Sequence, residues 1–174
     1  EMATALIKAS DIRGRYCQAR INLEQAKILD RKGDHDLSSK RYGSAAETFR
    51  KIIEETESEV ARKELRPIMC LCQAWQRMTV AEEKTSPELY LEASQLFEEA
   101  KEHSLNKRTS LLALGNSSFC KALAAGTKFD ITLDMTMHST AKQHMERAET
   151  CYLKAGFKSA SEYAKATQRL FDAY

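Results

Sequence analysis

The chain has 174 residues, 43% of them hydrophobic and 30% charged, with six Gly, two Pro and a net charge of +2. That length and apolar content suffice for a sizeable core and exclude disordered and collagen-like classes. Scarce Gly and Pro argue against the many tight turns of an all-β fold. The charges are near balance and form no block of five like charges, so nucleic acid is not an expected partner.

The sequence holds no run of about 18 apolar residues, and no membrane span is expected. No signal peptide is visible. Five Cys, at 17, 70, 72, 120 and 151, is an odd number. It disfavours a disulfide framework and points to a reducing, cytoplasmic compartment. The chain opens on Glu1 rather than Met, as a processed product or a domain cut from a longer protein would.

Residues 11–32 read as a long helix, with Tyr16, Leu23, Ala26 and then Ile28 or Leu29 on one face. Gly33 stops it as a left-handed residue past the last turn. Residues 1–9, with Met2, Leu6 and Ile7 as their apolar members, either extend this helix or form a separate turn, Gly14 standing between. Ser38 or Ser39 is the expected cap of a second helix over about 39–56, with Tyr42, Ala45, Phe49, Ile52 and Ile53 inward.

A third helix covers about 59–80. Pro67 inside it either kinks the helix or restarts it as a first residue. Ser86-Pro87-Glu88 is a strong N-terminus: Ser caps, Pro takes the first helical position and Glu faces the positive end of the dipole. That helix runs about 87–103. The next ends at Ala125 with Gly126 as its stop, and the β-prone residues 127–133 read as a loop. Helices over about 134–155, ended by Gly156, and 158–174 follow; the last places Ala160, Tyr163, Thr167, Leu170, Phe171 and Tyr174 on one side.

An offset of 48 residues recurs through this order. Leu23, Leu71 and Phe119 share a slot, as do Ala26, Ala74 and Ala122, and Tyr42, Tyr90 and His138. So do three small–aromatic–small sets: Ala45, Phe49, Ile52; Ala93, Phe97, Ala100; and Ala141, Met145, Ala148. Recurrence at one offset marks a stacked repeat, in which each helix pair buries its apolar face against its neighbours. Small residues let axes approach and the large one fills the gap. The competing reading is a helical bundle whose alanines coincide. The expected fold is all-α: antiparallel pairs stacked as a right-handed superhelix of about seven helices. The expected units are residues 11–57, 58–104 and 105–156, with a capping helix over 157–174.

Ala93, Phe97 and Ala100 resemble the second helix of a tetratricopeptide repeat, and Leu114-Gly115-Asn116 with Phe119 resembles the core of that family's first helix. From Leu114 to Ala141 there are 27 residues, and a 48-residue unit exceeds the family's usual length of about 34. The resemblance is therefore to an elongated variant, similar to the hairpins of the soluble vesicle-fusion adaptors that load a AAA ATPase. The stretch from Thr150 to Gly156 is loosely similar to their wording. The Leu-Gly slot departs from the pattern at Arg66-Pro67 and at Glu162-Tyr163. The likeness implies an adaptor or scaffold without enzymatic activity. In peptide-clamping members an Asn at the Asn116 place reaches the ligand, with basic residues at partner slots; here those slots hold Ile68 and Ala164.

Few residues suggest chemistry. No two of His35, His103, His138 and His144 form a metal-binding pair of the His-Glu-x-x-His kind. His138 reads as a packed, half-buried ring. Cys70 and Cys72 point roughly 200° apart on a helix, which argues against a shared metal; Cys72 and Cys120 share a repeat slot and read as small core residues. Glu54-Glu55, Glu82-Glu83 and Glu98-Glu99 read as solvated faces, and Trp75 as core. No catalytic residue, cofactor or metal is expected. The expected function is a protein-interaction module meeting a protein or peptide through the first helices of the pairs, near Ile68, Cys72, Asn116, Phe119 and Cys120. The alternative is a helical enzyme or small-ligand binder, which calls for a polar pocket holding His or paired carboxylates. Self-association through the final helix is a third use.

Overall fold

The computed structural model describes residues 2–173, and among these every regular element is a helix. The order is α1 (Met2–Arg31), α2 (His35–Glu55), α3 (Glu59–Lys84), α4 (Pro87–His103), α5 (Lys107–Thr132), α6 (Met135–Ala155) and α7 (Lys158–Asp172), each packed against the next. Tyr174, expected on the inner side of the last helix, lies outside the described residues.

The repeat is real in three dimensions. Leu23 and Ala26 of α1 share one core cluster with Ala45, Phe49 and Ile52 of α2. Leu71 and Ala74 of α3 do the same with Ala93, Phe97 and Ala100 of α4. Phe119 and Ala122 of α5 join Met145 and Ala148 of α6. The alanines Ala45, Ala93 and Ala141 are all 0% exposed, and so are Phe49, Phe97 and Met145. Each large side chain buried this way contributes about 1.5–3 kcal/mol. The pairs are tied to one another as well: Cys72 of α3 packs into the α1–α2 cluster, and Cys120 of α5 into the α3–α4 cluster. Trp75 bridges the first two pairs, its ring 5.8 Å from that of Tyr42 and 6.3 Å from that of Phe97.

The turn inside each pair uses one device three times. A residue of positive φ, Gly33 (77°), Thr85 (49°) or Leu133 (56°), is followed by an N-cap, Asp34, Ser86 or Asp134. The cap oxygens accept from Leu37 N, Leu89 N and Thr136 N, so each turn closes on itself. At α1 and α3 the helix end is also wrapped, with Asp34 N donating to Leu29 O at 3.1 Å and Ser86 N to Ala81 O at 3.2 Å.

The expected boundaries hold at Gly33, Ser86-Pro87 and Gly156, and differ elsewhere for physical reasons. α1 runs unbroken through Gly14 to Met2. α3 continues through the buried Pro67 from Glu59 to Lys84. α2 starts at His35, capped by Asp34, because Ser38 is buried and spends its hydroxyl on Ala26 O at 3.0 Å. The largest correction concerns residues 127–133. They are helical as far as Thr132, and Gly126 is an interior residue of α5. Its missing side chain serves close approach: a Cβ there would stand 2.6 Å from Phe171 Cε1 of α7.

Candidate functional site

A polar cluster forms where three helix ends meet. Asp30 lies in the last turn of α1. Gly33 reverses the chain and Asp34 starts α2, so His35 comes back against the end of α1 as the first residue of the new helix. α3 packs on α2 and brings Glu82 from its own last turn. His35 Nδ1 stands 3.8 Å from Asp30 Oδ1 and 3.7 Å from Glu82 Oε2. One ligand atom from each of the three residues falls within 4.8 Å of the other two. The Thr79 hydroxyl, one turn before Glu82, is 3.4 Å from Asp30 Oδ1 and 2.9 Å from Trp75 O.

These residues line a groove of about 690 Å³, whose remaining walls are Arg31, Met78, Tyr90, Leu123 and Tyr163. The walls come from α1, α3, α4, α5 and α7, so residues remote in sequence share one depression. Tyr163 is 64% exposed, yet its ring lies on that of Phe119 with centroids 5.7 Å apart. The stacking holds an accessible aromatic face in place.

Burial dominates the electrostatics of the cluster. Burial, and then the charge of Asp30, push the Glu82 carboxyl up to about 7. Burial also raises Asp30, and the neighbouring His35 and the Thr79 hydroxyl act against that rise. The phenols of Tyr42, Tyr90 and Tyr163 are raised, chiefly by burial and further by these carboxylates. His35 Nδ1 is buried and has no hydrogen-bond partner. One nitrogen and two oxygens thus surround a common gap. That arrangement suits a cation or an exchanged proton; no hydroxyl or thiol nucleophile stands among the three.

The residues expected to meet a partner lie elsewhere. Cys72 and Cys120 are 0% exposed and Phe119 is 3% exposed; all three are core, and as they stand they offer no surface to a partner. Ile68 is half-buried against the first cluster. Asn116 is half-buried and accepts at 2.6 Å from the Tyr152 hydroxyl of α6. The structure does not gather these five into one surface.

Of the glutamate pairs read as solvated, Glu82 and Glu98 are half-buried, Glu82 within the cluster. Glu98 accepts from Lys121 at 2.5 Å and Ser117 at 3.1 Å, as a partly screened surface group does. His138 is half-buried as expected, its Nε2 at 2.6 Å from Phe171 O. All five cysteines are free; Cys70 and Cys72 are pushed up to about 12 mainly by burial, which keeps the thiols protonated. Sequence reading missed the Asp30–His35–Glu82 cluster because its members span 52 residues on three helices. The one local signal was a carboxylate and a histidine on either side of a Gly-Asp turn.

No known protein family, curated protein or solved structure matches the chain. What the fold itself defines is a class: an all-helical protein made of recurring hairpins. Among the described residues no helix is long and apolar enough to cross a membrane.

Proposed function

We propose that this chain is a non-enzymatic interaction scaffold whose groove receives a segment of a protein partner by way of an apolar anchor. The observation that carries the reading is the exposed Tyr163 ring, fixed on Phe119 at the rim of a groove that also presents Met78, Leu123 and Tyr90. A pre-positioned aromatic loses little freedom when a partner covers it, and such residues dominate binding energies. The tetratricopeptide likeness supports the same reading, since stacked hairpins in that family offer extended binding surfaces.

Tyr163→Ala is the test. Tyr163 is largely exposed, so the variant keeps its helical circular dichroism spectrum while losing the partner. Quantitative capture from native extract identifies proteins retained by the wild type, and titration with the purified candidate measures the loss. A fall in affinity of roughly tenfold or more, or about 1.4 kcal/mol, is expected. Equal retention of every captured protein by wild type and variant rejects the groove as the docking surface. The cluster of His35 with two carboxylates favours a second reading, ligand binding.

A further inference from the structure

We propose that Asp30, His35 and Glu82 form a binding site for a divalent transition-metal cation of the zinc class. Binding of a cation there requires no partner in the groove.

A separation of 3.7–3.8 Å between His35 Nδ1 and each carboxylate oxygen exceeds hydrogen-bond length. It is close to what one interposed ion requires: ligands about 2.1 Å from a tetrahedral zinc stand about 3.4 Å from one another. These two separations exceed that figure by a few tenths of an ångström, and the third, between the carboxylate oxygens of Asp30 and Glu82, lies within 4.8 Å; all three residues are partly exposed. One imidazole nitrogen with two carboxylate oxygens is a set that zinc accepts, and the imidazole disfavours calcium and magnesium, which take oxygen ligands. Three protein ligands leave at least one position open to water or a further ligand, and all three residues line the groove.

The supporting shell is also present. A ligating carboxylate is commonly held by a further hydrogen bond, and the Thr79 hydroxyl lies beside Asp30 Oδ1. Thr79 is itself 2% exposed, so it is fixed by the core. His35 Nδ1, buried without a hydrogen-bond partner, is a donor atom that a cation would satisfy.

The repeat supplies an internal control. Packing residues recur at the 48-residue offset, whereas the set of three does not: 48 residues on stand Met78, Glu83 and Asp130, so a carboxylate returns at the Glu82 place without the aspartate and histidine that face it. The second pair therefore forms its core without the triad, and ordinary hairpin packing does not account for it. A cation here would pin the α1–α2 turn to the end of α3, joining the first two pairs at a second point beyond their core.

The experiment is calorimetric titration of the purified, tag-free chain with Zn²⁺, with thermal unfolding in parallel and Co²⁺ as a spectroscopic substitute. The expected result is one equivalent bound per chain, a Tm that rises with added Zn²⁺, and visible absorption bands on loading with Co²⁺. Glu82→Gln and His35→Ala should each weaken binding by at least roughly tenfold and abolish the cobalt bands. Glu83→Gln, which removes one charge from the exposed neighbour, should bind as the wild type does. Wild-type affinity in both ligand variants would place the ion elsewhere, at exposed Cys17 or another histidine, and overturn the site. So would the failure of folded wild type to bind either cation. If His35→Ala loses helicity, Glu82→Gln decides the matter, since it preserves size and shape. Neither readout involves a protein partner, so the outcome is separate from that of Tyr163→Ala.

Discussion

Tyr152 shows how much a single residue of the repeat has to satisfy. It is 5% exposed, and its hydroxyl reaches Asn116 Oδ1 of the facing helix at 2.6 Å. Gly115 makes room for its ring: a Cβ there would stand 2.7 Å from Tyr152 Cε1. The Leu114-Gly115-Asn116 motif, which resembles a ligand-facing element, is in this chain a seat for a tyrosine of its own hairpin. Asn116 Nδ2 is buried with no partner, so the Tyr152 contact is what this amide retains. Tyr152→Phe should therefore destabilise the fold by about 1–3 kcal/mol, lowering Tm by roughly 2–4 °C per kcal/mol with unchanged helicity. An unchanged Tm would show that water serves both groups equally well.

Among the elements, the turns decide the register. Thr85 and Leu133 hold left-handed conformations that cost a non-glycine residue about 1–2 kcal/mol. Leu133 is 74% exposed, so replacing it removes little packing. Leu133→Gly should stabilise the protein by about 0.5–1 kcal/mol, the relief of strain exceeding the added freedom of the unfolded chain. Denaturant titration would register this as a higher midpoint at constant slope; a lower midpoint would mean that the leucine packs more than its exposure implies.

The same turns mark what could be read beforehand. Gly33 and Ser86-Pro87 announce their helix ends because their chemistry is local. Leu133 does not, since leucine rarely takes positive φ. Gly126 misled because glycine has two uses, ending a helix and admitting a neighbour, and Phe171 of α7 is 45 residues away. The cluster of Asp30, His35 and Glu82 was hidden for the same reason. The 48-residue recurrence reports packing within and between pairs, whereas a site at helix ends depends on how the pairs dock. Cys72, Phe119 and Cys120 were placed on the first helices correctly, but a single sequence does not separate the groove side of a helix from its core side.

For the molecule as a whole, the pattern of contact is sequential: each helix packs on the one before and the one after. Such arrays lose structure locally, because damage in one pair is felt mainly by its neighbours. Phe49, 0% exposed, sits in the first pair and gives a clean probe. Phe49→Leu, milder than the loss of about 3–5 kcal/mol expected for truncation to Ala, should speed amide exchange in α1, α2 and part of α3. Protection in α6 and α7 should hold. Uniform loss of protection along the chain would instead indicate one cooperative core.

The junctions between pairs match as the turns do. Thr56 ends α2 and Ser58 starts α3; 48 residues later Ser104 ends α4 and Asn106 starts α5. In both places one residue separates the two caps, so residues 58–105 form a cassette with interchangeable ends. Copying that cassette lengthens the protein without requiring a new kind of joint. A lineage using this design can thus adjust its reach by counting modules, while the grouping of Asp30, His35 and Glu82, two of whose members lie outside the cassette, stays single however long the array becomes.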